Sequence, residues 1–267
     1  MAAEIHPTAI IDSRARIGDG VSIGPYTVIE GDVEIGDRSV IGPHVVIAEY
    51  TRIGRECRIF SGANIGQIPQ DIKFAGEKSL LRIGDRTTIR EFCTLNRGTA
   101  ATGETVIGND CLLLAYSHVG HDCVIGDHFI SSNNLAMAGH VRVGSNVTIG
   151  GVCAIHQFTQ IGDYCMIGAF SFITQDVIPY ALTAFGPVRI IDINRVKLER
   201  CNFTPERTQE IRRAFRVLFR SGLQLDSALL ELTNRFPDNE DVKRIIAFAR
   251  ASKRGLVRMQ TSAALAL

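Results

Sequence analysis

Isoleucine recurs at every sixth position from Ile11 through Ile17, Ile23, Ile29, Ile35, Ile41, Ile47, Ile53 and Ile59 to Ile65. The spacing returns at Ile83, Ile89 and Leu95. It then runs from Ile107 through Leu113, Val119, Ile125, Met137, Val143, Ile149, Ile155, Ile161 and Ile167 to Ile173, with polar Ser131 as its clear fault. A repeat this strict is an architecture, because each unit buries its apolar residue only by stacking on its neighbours. Gly often follows the repeat residue, as in Ile17-Gly18-Asp19 and Ile35-Gly36-Asp37. Such a triplet predicts a core residue followed by a turn residue that tolerates positive φ. Strand and turn alternating at a period of six predict a β-helix built from hexapeptides. Its β-branched inward residues suit flat stacked strands, and its coils should lie about 4.8 Å apart.

The pattern lapses twice, over 66–82 and 96–106, and both stretches are expected as external loops. Long loops on a rigid scaffold often carry function. After Pro179 the period changes. Thr204-Pro205-Glu206 reads as an N-cap with proline at the first helical position, and Ile211, Phe215, Leu218 and Phe219 follow at helical spacing. Gly222 is a stop signal. A second helix is expected from Asp226 or Ser227 to just before Pro237, and a third from about Asp238 to Ser252. The fold class is therefore mainly β, with a β-helix over 1–187 and an α-helical domain over 188–267. Residues 260–267 read as an untethered tail.

Composition adds to this picture at three points. The chain of 267 residues is 45% hydrophobic and 21% charged, enough apolar content to build a core. The net charge of +1 hides an asymmetry: residues 1–187 hold 13 Lys and Arg against 19 Asp and Glu, and 188–267 hold 16 against 9. Arg212, Arg213, Arg216 and Arg220, at helical spacing, form a candidate basic face for an acidic partner. Six of the seven cysteines (Cys57, Cys93, Cys111, Cys123, Cys153 and Cys165) fall four residues after a repeat residue, a slot shared with Ala15, Thr27, Ser39 and Ala63. That slot asks for something small, and buried cysteine acts as a small hydrophobe. With no CxxC pair, no zinc-ligand spacing, no secretory leader and no apolar run of about 20 residues, free thiols in a cytoplasmic protein without a membrane span are expected.

The candidate chemistry sits inside the repeat, in Ser117-His118-Val119-Gly120-His121-Asp122-Cys123. Together with Asn133-Asn134-Leu135-Ala136-Met137-Ala138-Gly139-His140-Val141, Gly151-Val152-Cys153-Ala154-Ile155-His156-Gln157-Phe158 and the loop Gln70-Asp71-Ile72-Lys73-Phe74-Ala75-Gly76, it resembles the UDP-N-acetylglucosamine O-acyltransferases that open lipid A biosynthesis. The resemblance covers nearly the whole chain. It implies a left-handed parallel β-helix, a homotrimer with active sites between subunits, and transfer of an (R)-3-hydroxyacyl group from acyl carrier protein to the 3-hydroxyl of a UDP-sugar. It implies no cofactor, no metal and no nucleic-acid partner. By the same resemblance His121 is the general base, Asp122 orients it, and Gly139 gives a backbone N–H to the thioester oxygen. Asp71, Lys73, His118, His140, His156, Gln157, Asn194 and Arg200 line the sugar-nucleotide and acyl sites.

With the family's 18 residues per coil, His121 stacks on Gly139 and Gly139 on Gln157, so His121, His140 and His156 are expected as a column on successive coils. Acyl transfer from a thioester to an alcohol needs a base for the hydroxyl proton and a donor for the developing oxyanion. Neutral histidine has the pKa range for the first role. The chain departs from the family over Asn194-Arg195-Val196-Lys197-Leu198-Glu199-Arg200-Cys201-Asn202-Phe203. Lys197, Cys201 and Asn202 replace Gly, Arg and Gly there, and loss of an arginine removes a bidentate phosphate ligand. Ala169 stands where some members have a glycine that measures acyl length. The competing readings are a paralogue acting on another nucleotide sugar or a 3-amino analogue, a β-helix carbonic anhydrase with zinc between subunits, and a scaffold without chemistry.

Overall fold

The computed structural model describes residues 2–184 and 188–260. Two- to four-residue strands stack into three parallel ladders that wrap one core. Face A carries strands from Glu4–Ile5 to Met166–Ile167, face B from Ile10–Ile11 to Phe172–Ile173, and face C from Arg16–Ile17 to Gln160–Ile161. The chain visits A, B and C in turn, and Ile5 pairs with Ile23, Ile11 with Ile29 and Ile17 with Ile35. One coil is therefore three hexapeptides.

Each coil buries two kinds of side chain. Repeat residues such as Ile23, Ile47, Ile89 and Ile149 are fully buried, and burying one aliphatic side chain contributes about 1.5–3 kcal/mol. The slot four residues on is also buried, and the polar groups that share it with cysteine have partners. Thr27 Oγ1 donates to Gly42 O at 2.7 Å, Ser39 Oγ to Gly54 O at 3.0 Å and Thr87 Oγ1 to Gly108 O at 2.9 Å. Cys123 Sγ lies 3.1 Å from Ala138 O in the same manner. So the slot selects a short side chain that can also donate to the next coil. Ser131 is accommodated by pairing with Ser117 Oγ at 3.0 Å, while Phe129 fills the slot of that coil.

Most glycines after the repeat residues do a different job from the one expected; Gly66, at φ +80°, is an exception. Positive φ falls two residues later, at Tyr26, Arg38, His44, Asp122, His140 and Phe158 among others. At Gly18 and Gly36 a Cβ would come within 2.6 Å of the next coil, so these positions are held to glycine by close approach of stacked turns.

The two interruptions are shorter than the hydrophobic pattern indicates. Leu80–Ile83 and Glu104–Ile107 pair with each other, so the connections span 68–79 and 97–103. Polar ladder residues such as Arg82 and Glu104 hid these strands. Both connections lead from face B to face C. At the C-terminal end Ala181–Ala184 pairs antiparallel with Arg189–Ile193, which extends face A into the segment expected to be helical. Helices α1 (Arg195–Arg200), α2 (Pro205–Arg220), α3 (Leu225–Arg235) and α4 (Glu240–Ala251) follow. Thr204 and Asn239 cap α2 and α4, and α1, capped by Asn194, was hidden by its brevity. Asp241 on α4 accepts Tyr180 Oη at 2.8 Å and a two-pronged bond from Arg207. Gln260 N donates to Ile190 O at 2.8 Å, so the tail is tied at its start; 261–267 lie outside the described residues.

Candidate active site

The turns from face B to face C form one edge of the solenoid. Connection 68–79, connection 97–103, Gly120-His121-Asp122, Ala138-Gly139-His140 and His156-Gln157-Phe158 follow one another along it. His140 N donates to His121 O at 2.9 Å and Phe158 N to Gly139 O at 3.2 Å, which fixes the stacking of the last three turns.

His121 and Asp122 make a hydrogen-bonded pair, with His121 Nδ1 2.7 Å from Asp122 Oδ2. A carboxylate only accepts, so the proton sits on Nδ1 and Nε2 keeps its lone pair. The Asp122 side chain is fully buried, whereas the His121 ring keeps some exposure. Oδ2 also accepts Thr99 Oγ1 at 2.8 Å; Oδ1 accepts Thr99 N at 3.0 Å and the Thr102 hydroxyl. Burial by itself would push this carboxyl up, but the hydrogen bonds from Thr102, His121 and Thr99 outweigh it and hold Asp122 down at about 2. The acid is therefore ionised wherever the imidazole is neutral.

Gly139 presses against the His121 ring: a Cβ there would stand 2.6 Å from both Cε1 and Nε2. The Gly139 N–H makes no hydrogen bond among the described residues, which leaves a donor beside the base. His140 meets the His121 ring edge-on at 5.0 Å and stacks on Phe158 at 4.5 Å. Its Nε2 lies 3.7 Å from Asp122 Oδ2. His118, one strand back on face B, bonds Thr94 Oγ1 through Nδ1 at 2.7 Å. Burial first, and then the charge of His121, push the His118 pKa down, which keeps this ring neutral.

The three histidines lie on successive turns of one edge as expected, but their rings make contact only as a pair. His121 and His140 touch, but His156 occupies the register of Gly120 and Ala138, and its Nδ1 turns to Gln157 O at 3.1 Å. Gln157 is exposed on the same edge. Asp71 Oδ1 accepts Lys73 N at 3.0 Å, so Asp71 shapes the tip of connection 68–79 while Lys73 and the fully exposed Ile72 project from it. Asn194 and Arg200 lie elsewhere, in a groove of about 690 Å³ on face A lined by Ile130, Met166, Leu182 and Lys197. Asn194 is committed to structure: its Oδ1 caps α1 and its Nδ2 donates to Tyr164 O at 2.8 Å. Thr99, Thr102 and Phe158 escaped the sequence reading. The available signal was that the threonine-bearing interruption falls one coil before His121.

His121, Asp122 and His140 present possible ligand atoms within 4.8 Å of one another. Among the described residues of one chain the donor set falls short of a zinc site. Four hydrogen bonds already fill both oxygens of Asp122, which leaves the imidazoles of His121 and His140 as donors on this chain where zinc takes three or four protein ligands. The geometry suits a carboxylate-oriented base with a neighbouring backbone donor.

The sequence matches the profile described as UDP-N-acetylglucosamine O-acyltransferase, domain 2, over residues 176–257. It matches the bacterial transferase hexapeptide profile over 14–49, 104–128 and 140–175. It is 58% identical to the acyl-[acyl-carrier-protein]–UDP-N-acetylglucosamine O-acyltransferase of Chlorobaculum parvum, over 95% of this chain and 96% of that one. The chain belongs to this acyltransferase family. The crystal structure of the Moraxella catarrhalis UDP-N-acetylglucosamine O-acyltransferase superimposes with a TM-score of 0.92 at 42% identity, covering 95% of this chain and 99% of that one. The UDP-N-acetylglucosamine acyltransferase of Francisella novicida gives 0.94 at 32% identity, over 97% and 96%. The solenoid is thus a left-handed β-helix with a small helical part at its C-terminal end. No helix among the described residues is long and apolar enough to cross a membrane.

Proposed function

We propose that this protein transfers an (R)-3-hydroxyacyl group from acyl carrier protein to the 3-hydroxyl of UDP-N-acetylglucosamine, the first step of lipid A biosynthesis, with His121 as general base. The observation that carries the reading is the His121–Asp122 pair, whose buried, ionised carboxylate keeps the proton on Nδ1 and leaves Nε2 free beside Gly139. Nε2 takes the proton of the sugar hydroxyl as its oxygen attacks the thioester carbon. The carbonyl oxygen becomes an oxyanion opposite the Gly139 N–H. Collapse breaks the C–S bond, and the imidazolium returns its proton to the departing thiolate. The new bond is an ester, and no enzyme-bound acyl group forms.

The site needs a second wall, and the surface supports one supplied by another copy of the chain. Outward residues on face C are mostly charged or polar, such as Arg16, Glu34, Arg82 and Arg142. Faces A and B are apolar in comparison, and the edge between them is a ridge of exposed Tyr26, Phe92, Tyr116, Val152 and Phe170. Such a ridge on a β-helix marks an interface. Three copies closing around it set the His121 edge of each subunit against face A of the next, where Asn194, Lys197 and Arg200 line the groove. The exposed arginines Arg213, Arg216 and Arg220 of α2 supply the cationic surface for the acidic carrier protein. The test is an acyl-transfer assay with 3-hydroxyacyl carrier-protein thioesters against UDP-N-acetylglucosamine and its 3-amino analogue. Turnover of the first acceptor with ester formation is expected. Turnover of the amine alone overturns the choice of acceptor, and turnover of neither overturns the reading.

A further inference from the structure

The connection 97–103 does more than join two strands: we infer that Thr99 and Thr102 are positioning residues, which hold the Asp122 carboxylate on His121 Nδ1 and so fix the tautomer that leaves Nε2 free. The inference rests on the base assignment above and deepens it. A carboxylate has about four lone-pair directions, and each at Asp122 has a donor. Two come from the Thr99 backbone and hydroxyl, one from the Thr102 hydroxyl and one from His121. With the first three fixed, the imidazole is left one place to bind. The Thr102 hydroxyl is within reach of both Asp122 Oδ1 and Glu104 O, and its single proton goes to the stronger, charged acceptor. Thr99 Oγ1 accepts Ala101 N at 3.1 Å while donating to Asp122, so the same hydroxyl shapes the loop that presents it. Asp122 N in turn donates to Thr105 Oγ1 at 2.8 Å, which anchors the backbone from below.

The loop is itself braced. Glu77 accepts Ala100 N at 3.0 Å through Oε1 and Ala75 N at 2.9 Å through Oε2, and Ser79 Oγ donates to Gly98 O. Connection 68–79, which carries Asp71 and Lys73, is thereby tied to the loop that grips Asp122. The other titratable groups around the pair are His118, His140 and Cys123. None of them donates to the carboxylate within hydrogen-bond distance; the His140 Nε2 stands 3.7 Å from Oδ2.

Losing a threonine donor leaves Asp122 a more basic anion, with more of its charge turned on the donors that remain, His121 among them. It then stabilises the imidazolium of His121 more strongly, and the histidine titrates at higher pH. The test uses full-length Thr102→Val and Thr99→Val proteins with the Thr→Ser variants as rescue, and combines the pH profile of kcat/KM with NMR titration of His121 in the absence of substrate. The expected result for each valine variant is an upward move of the His121 midpoint and of the acid limb, a fall in kcat of roughly 10-fold or more, KM within about twofold, and recovery in the serine variant. A His121 midpoint that stays at the wild-type value in folded valine variants overturns the inference, whatever the activity does. A serine variant that fails to recover overturns it as well. A midpoint that moves while kcat stays unchanged upholds the grip of the threonines on Asp122 and contradicts the base assignment instead, so the two failures are distinguishable.

Discussion

Gly139 and His121 are locked together by shape: a methyl group on Gly139 would lie 2.6 Å from Cε1 and Nε2 of the imidazole. The nitrogen that meets the sugar hydroxyl in the proposed reaction therefore faces a residue of the next coil that has no side chain. Gly139→Ala is expected to turn the ring away and to lower kcat by at least about 10²-fold. The oligomer and the melting temperature should change little, because a surface turn is altered and no core group is lost. A crystal structure of the variant with the ring unmoved and activity retained contradicts this relationship.

Asp122 couples the site to acid stability. Its carboxyl is held down at about 2 from an ordinary 3.8: burial opposes this, and the bonds from Thr102, His121 and Thr99 win. A depressed acid stabilises the fold above its unfolded value, and that contribution is lost as the pH falls from about 4 through about 2. Its size is on the order of 2 kcal/mol. Chemical denaturation should show Asp122→Asn less stable than the wild type near neutrality, with the gap closing over that window. A gap independent of pH means that the carboxylate charge contributes nothing.

The thiols report on the core. Burial pushes Cys57, Cys93 and Cys111 up to about 11 and Cys123 up to about 12, and all six slot cysteines are buried. Cys201 is only half-buried. A thiol reagent should label Cys201 first and the other six only on unfolding. Rapid native labelling of several of the six contradicts the register.

Much of this was legible in the sequence because a hexapeptide repeat writes its core directly into the chain: Ile11 to Ile65 and Ile107 to Ile173 all point inward or partly inward as read, and Ser131, the polar fault in the pattern, is buried as well. Strands at the interruptions were not, since Leu80–Ile83 and Glu104–Ile107 pair through residues such as Arg82 and Glu104 that read as loop. The role of the repeat glycines was misassigned because close approach between coils and positive φ leave the same mark in one sequence. The stacking of Gly139 on His121 was readable at the family's 18-residue spacing, and Asp122 entered through the resemblance. Thr99 and Thr102 were not, because the inserted residues break that arithmetic and only the folded loop brings them to Asp122. Asn194, half cap and half groove lining, shows how one residue can satisfy a motif and a helix at once.

The apolar ridge between faces A and B predicts the assembly. Sedimentation should give about three times the 29.2 kDa chain mass. Phe170→Glu places a charge on the ridge and should yield folded monomers with little activity. A wild-type monomer that is stable and active rules out the shared site.

The most direct test of the general-base assignment is the turnover of His121→Ala on UDP-N-acetylglucosamine and a 3-hydroxyacyl carrier-protein thioester, measured beside its melting temperature. The account predicts a fall of roughly 10²–10⁴-fold in kcat with folding and assembly intact, since a partly exposed edge histidine adds little to the core. A variant that folds normally and keeps near wild-type turnover contradicts it.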